Sequence, residues 1–156
     1  MITQISGWLA AAHTALAADA DLADAVVHLG PLVTFEDVAG ADLVIVGHDD
    51  DDDTGMAWEY AGGWHDTGGT HRGDALVYLT AVSQSGGTLT MAQRVTALTT
   101  LVEHVRDVLQ SSAAGSGLGV SGVLWAQETG VRTHLIPTAA GPVARAVITF
   151  TVAALA

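Results

Sequence analysis

Five consecutive aspartates, Asp49 to Asp53, follow His48 and form the densest run of carboxylates in the chain. Oxygen-rich runs of this kind are the chemistry of a hard-cation site. Asp50, Asp52, Thr54 and Gly55 even fall at the first, third, fifth and sixth places of an EF-hand loop. The match then fails, because the twelfth place is Ala61 where a bidentate Glu is required, and no helical pattern flanks the run. The favoured reading is a solvated acidic loop whose like charges repel one another.

His65, Asp66 and His71, taken with His48, form a second constellation. Imidazole and carboxylate suit zinc, so these four residues could be assembled into a metal-dependent hydrolase. Their spacing matches no helical pair such as H-E-x-x-H, and they sit in a Gly-rich segment, so histidines without a catalytic role are favoured. Gly115, Gly117 and Gly119 lack the last glycine of a dinucleotide fingerprint and lead into a strand where that motif needs a helix; they read as a turn. No cysteine occurs, which excludes disulfides, thiolate metal sites and cysteine nucleophiles. The sequence therefore supports no catalytic, cofactor-binding or metal-binding assignment. The acidic run Asp49, Asp50, Asp51, Asp52 and Asp53 stands as its candidate functional feature.

Charge bounds the partners. The 156-residue chain has 17 acidic and 5 basic residues, a net charge of −12, and no lysine. Nucleic-acid affinity comes from Lys and Arg neutralising phosphates, and Arg72, Arg94, Arg106, Arg132 and Arg145 are scattered without a cluster. Tight binding to DNA or RNA is disfavoured, as is attachment to an anionic membrane. No cationic, apolar leader follows Met1, and no apolar run approaches the ~20 residues needed to span a bilayer. The expectation is a soluble chain, not exported by that route, with one domain around one core.

The elements that must position these residues are clearest in the second half. Met91, Val95, Leu98, Val102, Val105 and Leu109 lie on one stripe of a helix, which predicts that this stripe is buried. Thr90 and Gln93 form a capping-box pattern at its start. Gln93, Arg94, Thr96, Thr100, Glu103 and Asp107 fall on the side expected to be solvated, and the helix should end near Gln110. Ala75 to Ser83 is apolar in both alternating sets, as expected of an interior strand. Residues 120–136 and the alternating run 143–152, joined by Thr138-Ala139-Ala140-Gly141-Pro142, predict a closing antiparallel hairpin, with Trp125 in the core.

The first half is less regular. Ile5, Trp8, Leu9, Ala12 and Leu16 predict an N-terminal helix over 3–18, and Ala25 to Leu29 and Asp42 to Val46 predict two strands, the second buried. Residues 48–71 read as a long acidic, Gly-rich loop. The fold class expected is α+β: a small, mostly antiparallel sheet packed by an N-terminal helix and a long helix at about 90–110, closing with a C-terminal β-hairpin.

The order of these features resembles the tail terminator proteins of long-tailed bacteriophages. It rests on the strand Ala75 to Val82, Ser85-Gly86-Gly87, a helix opening Met91-Ala92-Gln93-Arg94, the Gly117-Leu118-Gly119 turn, and a closing hairpin ending Ala146-Val147-Ile148-Thr149-Phe150-Thr151-Val152. The resemblance covers roughly residues 70–155, and more loosely the N-terminal helix and Leu43-Val44-Ile45-Val46-Gly47. It implies a structural virion protein, not an enzyme. Such a protein forms a homo-oligomeric ring of about six copies that caps the tail tube and meets the head connector or stopper protein. Genome DNA passes through without tight binding, and the protein lies at the head-proximal end of the tail after assembly in the host cytoplasm. The acidic loop from His48 to Gly55 is not part of the resemblance; the expectation is that some of Asp49 to Asp53 face the lumen or the tube-contacting end. Two other readings stand beside it: a neighbouring connector, stopper or tail-tube subunit, and the metal-dependent hydrolase using His48, His65, Asp66 and His71.

Overall fold

The computed structural model describes residues 1–30, 40–49, 57–67, 70–112 and 114–155, with 63–67 and 70 described in backbone only. Its elements are α1 (Ile2–Ala17), β1 (Ala25–Leu29), β2 (Asp42–Val46), β3 (Trp58–Thr67), β4 (Thr70–Ser83), α2 (Met91–Gln110), β5 (Val123–Thr138) and β6 (Gly141–Leu155). They form a mixed six-stranded sheet with two helices, the α+β arrangement expected. Among the described residues, no helix is long and apolar enough to cross a membrane.

The sheet runs β1-β2-β4-β6-β5, with β3 also paired to β4. β1 and β2 are parallel, and the other pairings are antiparallel. β4 is the interior strand: β6 follows one edge from Arg72↔Leu155 to Ser83↔Ala144, while β2 and β3 divide the other. Of its two apolar sets, Ala75, Val77, Leu79 and Ala81 face the helices, whereas Leu76 and Tyr78 on the other face are half-buried. β5 and β6 form the predicted closing hairpin, with Thr138 opposite Gly141 and Ala139-Ala140 at the tip.

The segment read as a loop from 48 to 71 is strand from Trp58 to Thr67 and again from Thr70. Gly62 and Gly63 hide it from a pattern search, since register shifts between Tyr60 and Gly62 and between Gly62 and His65 break the alternation. The pairing is made by the backbone, whose hydrogen-bonding groups do not depend on side-chain type.

Both helices join one core with the face of the sheet that carries Val77, Leu79, Ile148 and Phe150. α1 buries Ile5, Trp8, Leu9, Ala12 and Leu16, the stripe its spacing predicts. Trp8 packs its ring 5.6 Å from that of Phe150 and donates its indole N–H to the Ser116 carbonyl at 3.0 Å. The Gly115 to Gly119 turn is thereby tied to the core. Trp125 departs from expectation: it is half-buried on the opposite face, with the Arg72 guanidinium 5.2 Å over its ring. Among the described residues, Trp8 is the fully buried tryptophan of the core, and Trp58 packs against that core partly buried.

The capping box of α2 is made in full, with Gln93 N–H donating to the Thr90 hydroxyl at 3.3 Å and Thr90 N–H to the Gln93 side chain at 2.9 Å. Leu98, Val102, Val105 and Leu109 are buried as predicted, and the stripe is rotated only in the first turns of the helix. Arg94, expected in solvent, is 1% exposed, while Val95, expected in the core, is 40% exposed. The reason is hydrogen bonding. Arg94 donates to the Pro142 carbonyl at 2.9 Å and the Gly86 carbonyl at 3.3 Å, and also to the Ser85 carbonyl and the Ser83 hydroxyl. One guanidinium thus joins the end of β4, the loop into α2 and the start of β6, using the fixed fork of donors that only arginine carries. Asp42 holds the same loop from the other side, accepting from Gln84 N–H and Ser85 N–H at 2.8 Å each. Gly141 completes the junction: its φ is +122°, and a Cβ there would stand 2.8 Å from the Gly87 carbonyl oxygen.

Arg94→Ala would take the donor from three part-buried carbonyls and the buried Ser83 hydroxyl, at about 1–3 kcal/mol for a fully buried group so orphaned. It should cost about 3 kcal/mol or more in a urea titration, whereas Val95→Ala should stay within about 0.5 kcal/mol, as exposed substitutions do. Equal losses at the two positions would refute the rotated stripe.

Candidate functional site

The acidic run leaves the sheet at a defined place. β2 pairs with β4 at residues 79–82 and β3 pairs with it at 70–77, so one edge of β4 passes from one strand to the other at Tyr78. The Tyr78 carbonyl accepts from Gly47 N–H at 2.9 Å and His48 N–H at 3.1 Å, and Tyr78 N–H donates to the Ala57 carbonyl at 3.1 Å. The chain therefore departs and returns at the same residue. The Thr80 hydroxyl adds a bond to the His48 carbonyl at 2.8 Å.

Asp49 and the other four aspartates part company here. Asp49 is tucked against the sheet, only 9% exposed, and its charge acts on Tyr78. Asp50, Asp51, Asp52 and Asp53 lie outside the described residues, as do the Thr54 and Gly55 of the EF-hand-like spacing. The expectation of a lumen- or tube-facing loop thus concerns those four.

Burial, a hydrogen bond from the Tyr78 hydroxyl to Glu59, and the nearby charges of Glu59 and Asp49 push the phenol up to about 12, against a small opposing pull from Arg132. Loss of the phenolic proton would set three negative charges together. An ion pair ties α2 to β5, where the Arg106 guanidinium meets Glu128 at 3.1 Å. The hydrogen bonds to Glu128 push the arginine further above its ordinary range.

Of the four residues of the hydrolase reading, His65, Asp66 and His71 lie together in the backbone register, and His48 stands apart from them. The register places His65 opposite Arg72 and Asp66 opposite His71, at the outer end of the β3–β4 ribbon. His48 lies beside Tyr78, seven residues along β4 from His71, a separation of roughly 23 Å at strand spacing. Among the described residues, no group of three or more His, Cys, Asp or Glu side chains is disposed to hold a metal ion.

Sequence reasoning missed Arg94, Tyr78 and Glu59. Arg94 stood in the sequence as one of few cations, next to a capping box, but nothing local pointed it inward. Tyr78 and Glu59 meet only through the β3–β4 register. Comparison with protein-family models found no match, and comparison with curated proteins found none either.

The Tyr78 environment makes a pH prediction. Its folded pKa of about 12 exceeds the ordinary value of 10.0, so its contribution to stability is complete below pH ~10 and is lost as pH rises towards ~12. Ultraviolet titration of the two tyrosines should show a late tyrosinate step that Tyr78→Phe abolishes and Glu59→Gln moves to lower pH. A late step that survives Tyr78→Phe would disprove the assignment.

Proposed function

We propose that the protein is a ring-forming structural component of a bacteriophage virion, a tail terminator that caps the tail tube and joins it to the head connector. The observation that carries this reading is the order of elements on one rigid sheet. The long strand β4 leads through Ser85-Gly86-Gly87 into the capped helix α2, and a Gly-rich turn precedes the closing β5–β6 hairpin. This is the order on which the family resemblance rests. A tube cap acts through shape, and the described fold supplies a stiff body: β4 and β6 keep an unbroken register from Arg72↔Leu155 to Ser83↔Ala144.

The charge agrees with the role. Duplex DNA presents a phosphate charge every ~1.7 Å along its axis, and a ring of chains each carrying −12 repels it during passage. Partners in this reading are further copies of the chain, the tail tube protein and the head connector or stopper protein. Like-charged copies also repel one another until salt screens them, with a Debye length of ~8 Å at physiological ionic strength. Assembly is therefore salt-dependent.

Mass photometry of the purified protein across a salt series, with and without tube subunits, should show a closed assembly of about six copies that dissociates as salt falls. A monomer under every condition would refute the reading. Imaging of intact particles separates it from a connector, stopper or tube subunit by position. Replacing Asp50, Asp51, Asp52 and Asp53 with Asn should make the assembled ring retain duplex DNA at low salt where the native ring releases it, as read by gel shift; unchanged release would remove these aspartates from the lumen.

A further inference from the structure

The charges are divided along the chain, and the fold converts that division into two unlike flanks. Thirteen of the 17 acidic residues lie within residues 1–71, which contain no lysine or arginine, and all five arginines lie between 72 and 145. The acidic part supplies α1, β1, β2 and β3, and the remainder supplies β4, α2, β5 and β6. Because the sheet runs β1-β2-β4-β6-β5, the acidic part ends at the β1 edge and the arginine-bearing part at the β5 edge.

The β5 flank has three open features together. Among the described residues β5 pairs only with β6; the turn at 115–119 covers the start of its outer edge, where Ala126 N–H donates to the Ser116 hydroxyl, and beyond that turn the outer backbone groups have no strand partner. Arg132, His134 and Leu135 are exposed along it. Between β5 and α2 lies a cavity of about 280 Å³ walled by Val95, Leu98, Val102, Val131 and Leu135, with Arg106 at its rim. Val95 and Leu135, 40% and 48% exposed, are large apolar side chains that this chain's own core leaves uncovered. At the β1 flank, exposed Asp21 and Asp24 line a cavity with Asp42 and His104 and no arginine, and Leu29 is exposed at the end of the strand.

We infer that the β5 edge and the groove beneath α2 dock the acidic β1 flank of a second copy of this chain, head to tail. The inference rests on the ring reading above and names its contact surface. Charge selects the occupant. Two β5 flanks face to face would set Arg132 and His134 against their own copies, and two β1 flanks would oppose aspartate to aspartate, whereas β5 against β1 pairs unlike charges. Such a heterologous contact closes rings, which an isologous one does not. Strand direction agrees: three antiparallel steps separate β2 from β5, so β5 runs opposite to β1, and a neighbour in the same orientation brings its β1 antiparallel to β5.

The test is a charge swap between two full-length variants, Arg132→Glu and the double change Asp21→Arg with Asp24→Arg. Asp19 is left alone because its carboxylate accepts from Asp21 N–H. Each variant alone opposes like charges at every contact and should self-associate roughly tenfold more weakly or worse, with unchanged circular dichroism and urea midpoint. An equimolar mixture restores unlike charges at every contact and should assemble as the native protein does. If each variant alone assembles like the native chain, the flank assignment is overturned while the ring reading stands. If Arg132→Glu still assembles but no longer holds tail tubes, the β5 flank belongs to the tube subunit and the second-copy assignment fails. If the native chain remains a monomer at every salt and protein concentration, alone and with tube subunits, the ring reading falls first and takes this contact with it.

Discussion

A strand buried in the middle of a sheet has to satisfy its backbone N–H and C=O groups on both edges, because water cannot reach them. For β4 this demand organises the molecule. One edge is met by β6, which at 15 residues matches the 14 of β4. The other cannot be met by β2, which has five residues, so a second strand must complete it. A Gly-rich segment with little apolar pattern becomes β3 for that reason. The point where β2 ends and β3 begins falls at Tyr78, and the chain leaves the sheet there, with Asp49 still buried against it. Position of the candidate feature is thus a consequence of a backbone requirement rather than of any preference of the aspartates.

The opposite end of the sheet solves a related problem with a side chain. The loop from β4 into α2 and the tip of the closing hairpin bring carbonyl groups together without a ladder to absorb them. Arg94 supplies the donors from within the helix, and Asp42 supplies an acceptor for the neighbouring N–H groups. A buried guanidinium is tolerated because its donors are spent on fixed oxygens; left unpaired, it would be costly. Arg72 and Arg106 are likewise engaged, with Asp74 and Glu128. At least three of the five cations, Arg72, Arg94 and Arg106, are therefore committed to internal contacts, which deepens the acidity that the chain presents to any partner. Exposed ion pairs of this kind contribute little to stability individually. Their importance here lies in how they leave the remaining charge distributed.

That distribution follows from topology. A chain whose acids precede its arginines could have mixed them by interleaving early and late strands. Instead β1 and β2 stay on one side of β4, and β6 and β5 on the other. The result is a sheet with two unlike edges, an arrangement compatible with head-to-tail repetition.

Much of the fold was legible in the amino-acid order, for physical reasons that act over a few residues. The stripe of α1, the capping box of α2, the bounds of β1 and β2, and the closing hairpin all follow from periodicity and local hydrogen bonding. What only the tertiary structure decided follows from contacts between distant residues. The inward rotation of Arg94 depends on carbonyls at Ser85 and Pro142; the existence of β3 depends on an unfilled edge of β4; the pairing of Tyr78 with Glu59 depends on their register. The acidic run was obvious as composition, but Asp49 was separated from its neighbours only when the sheet buried it. Local pattern sets what a segment prefers, whereas unsatisfied backbone and buried polar groups, which are counted across the whole molecule, determine where it must go.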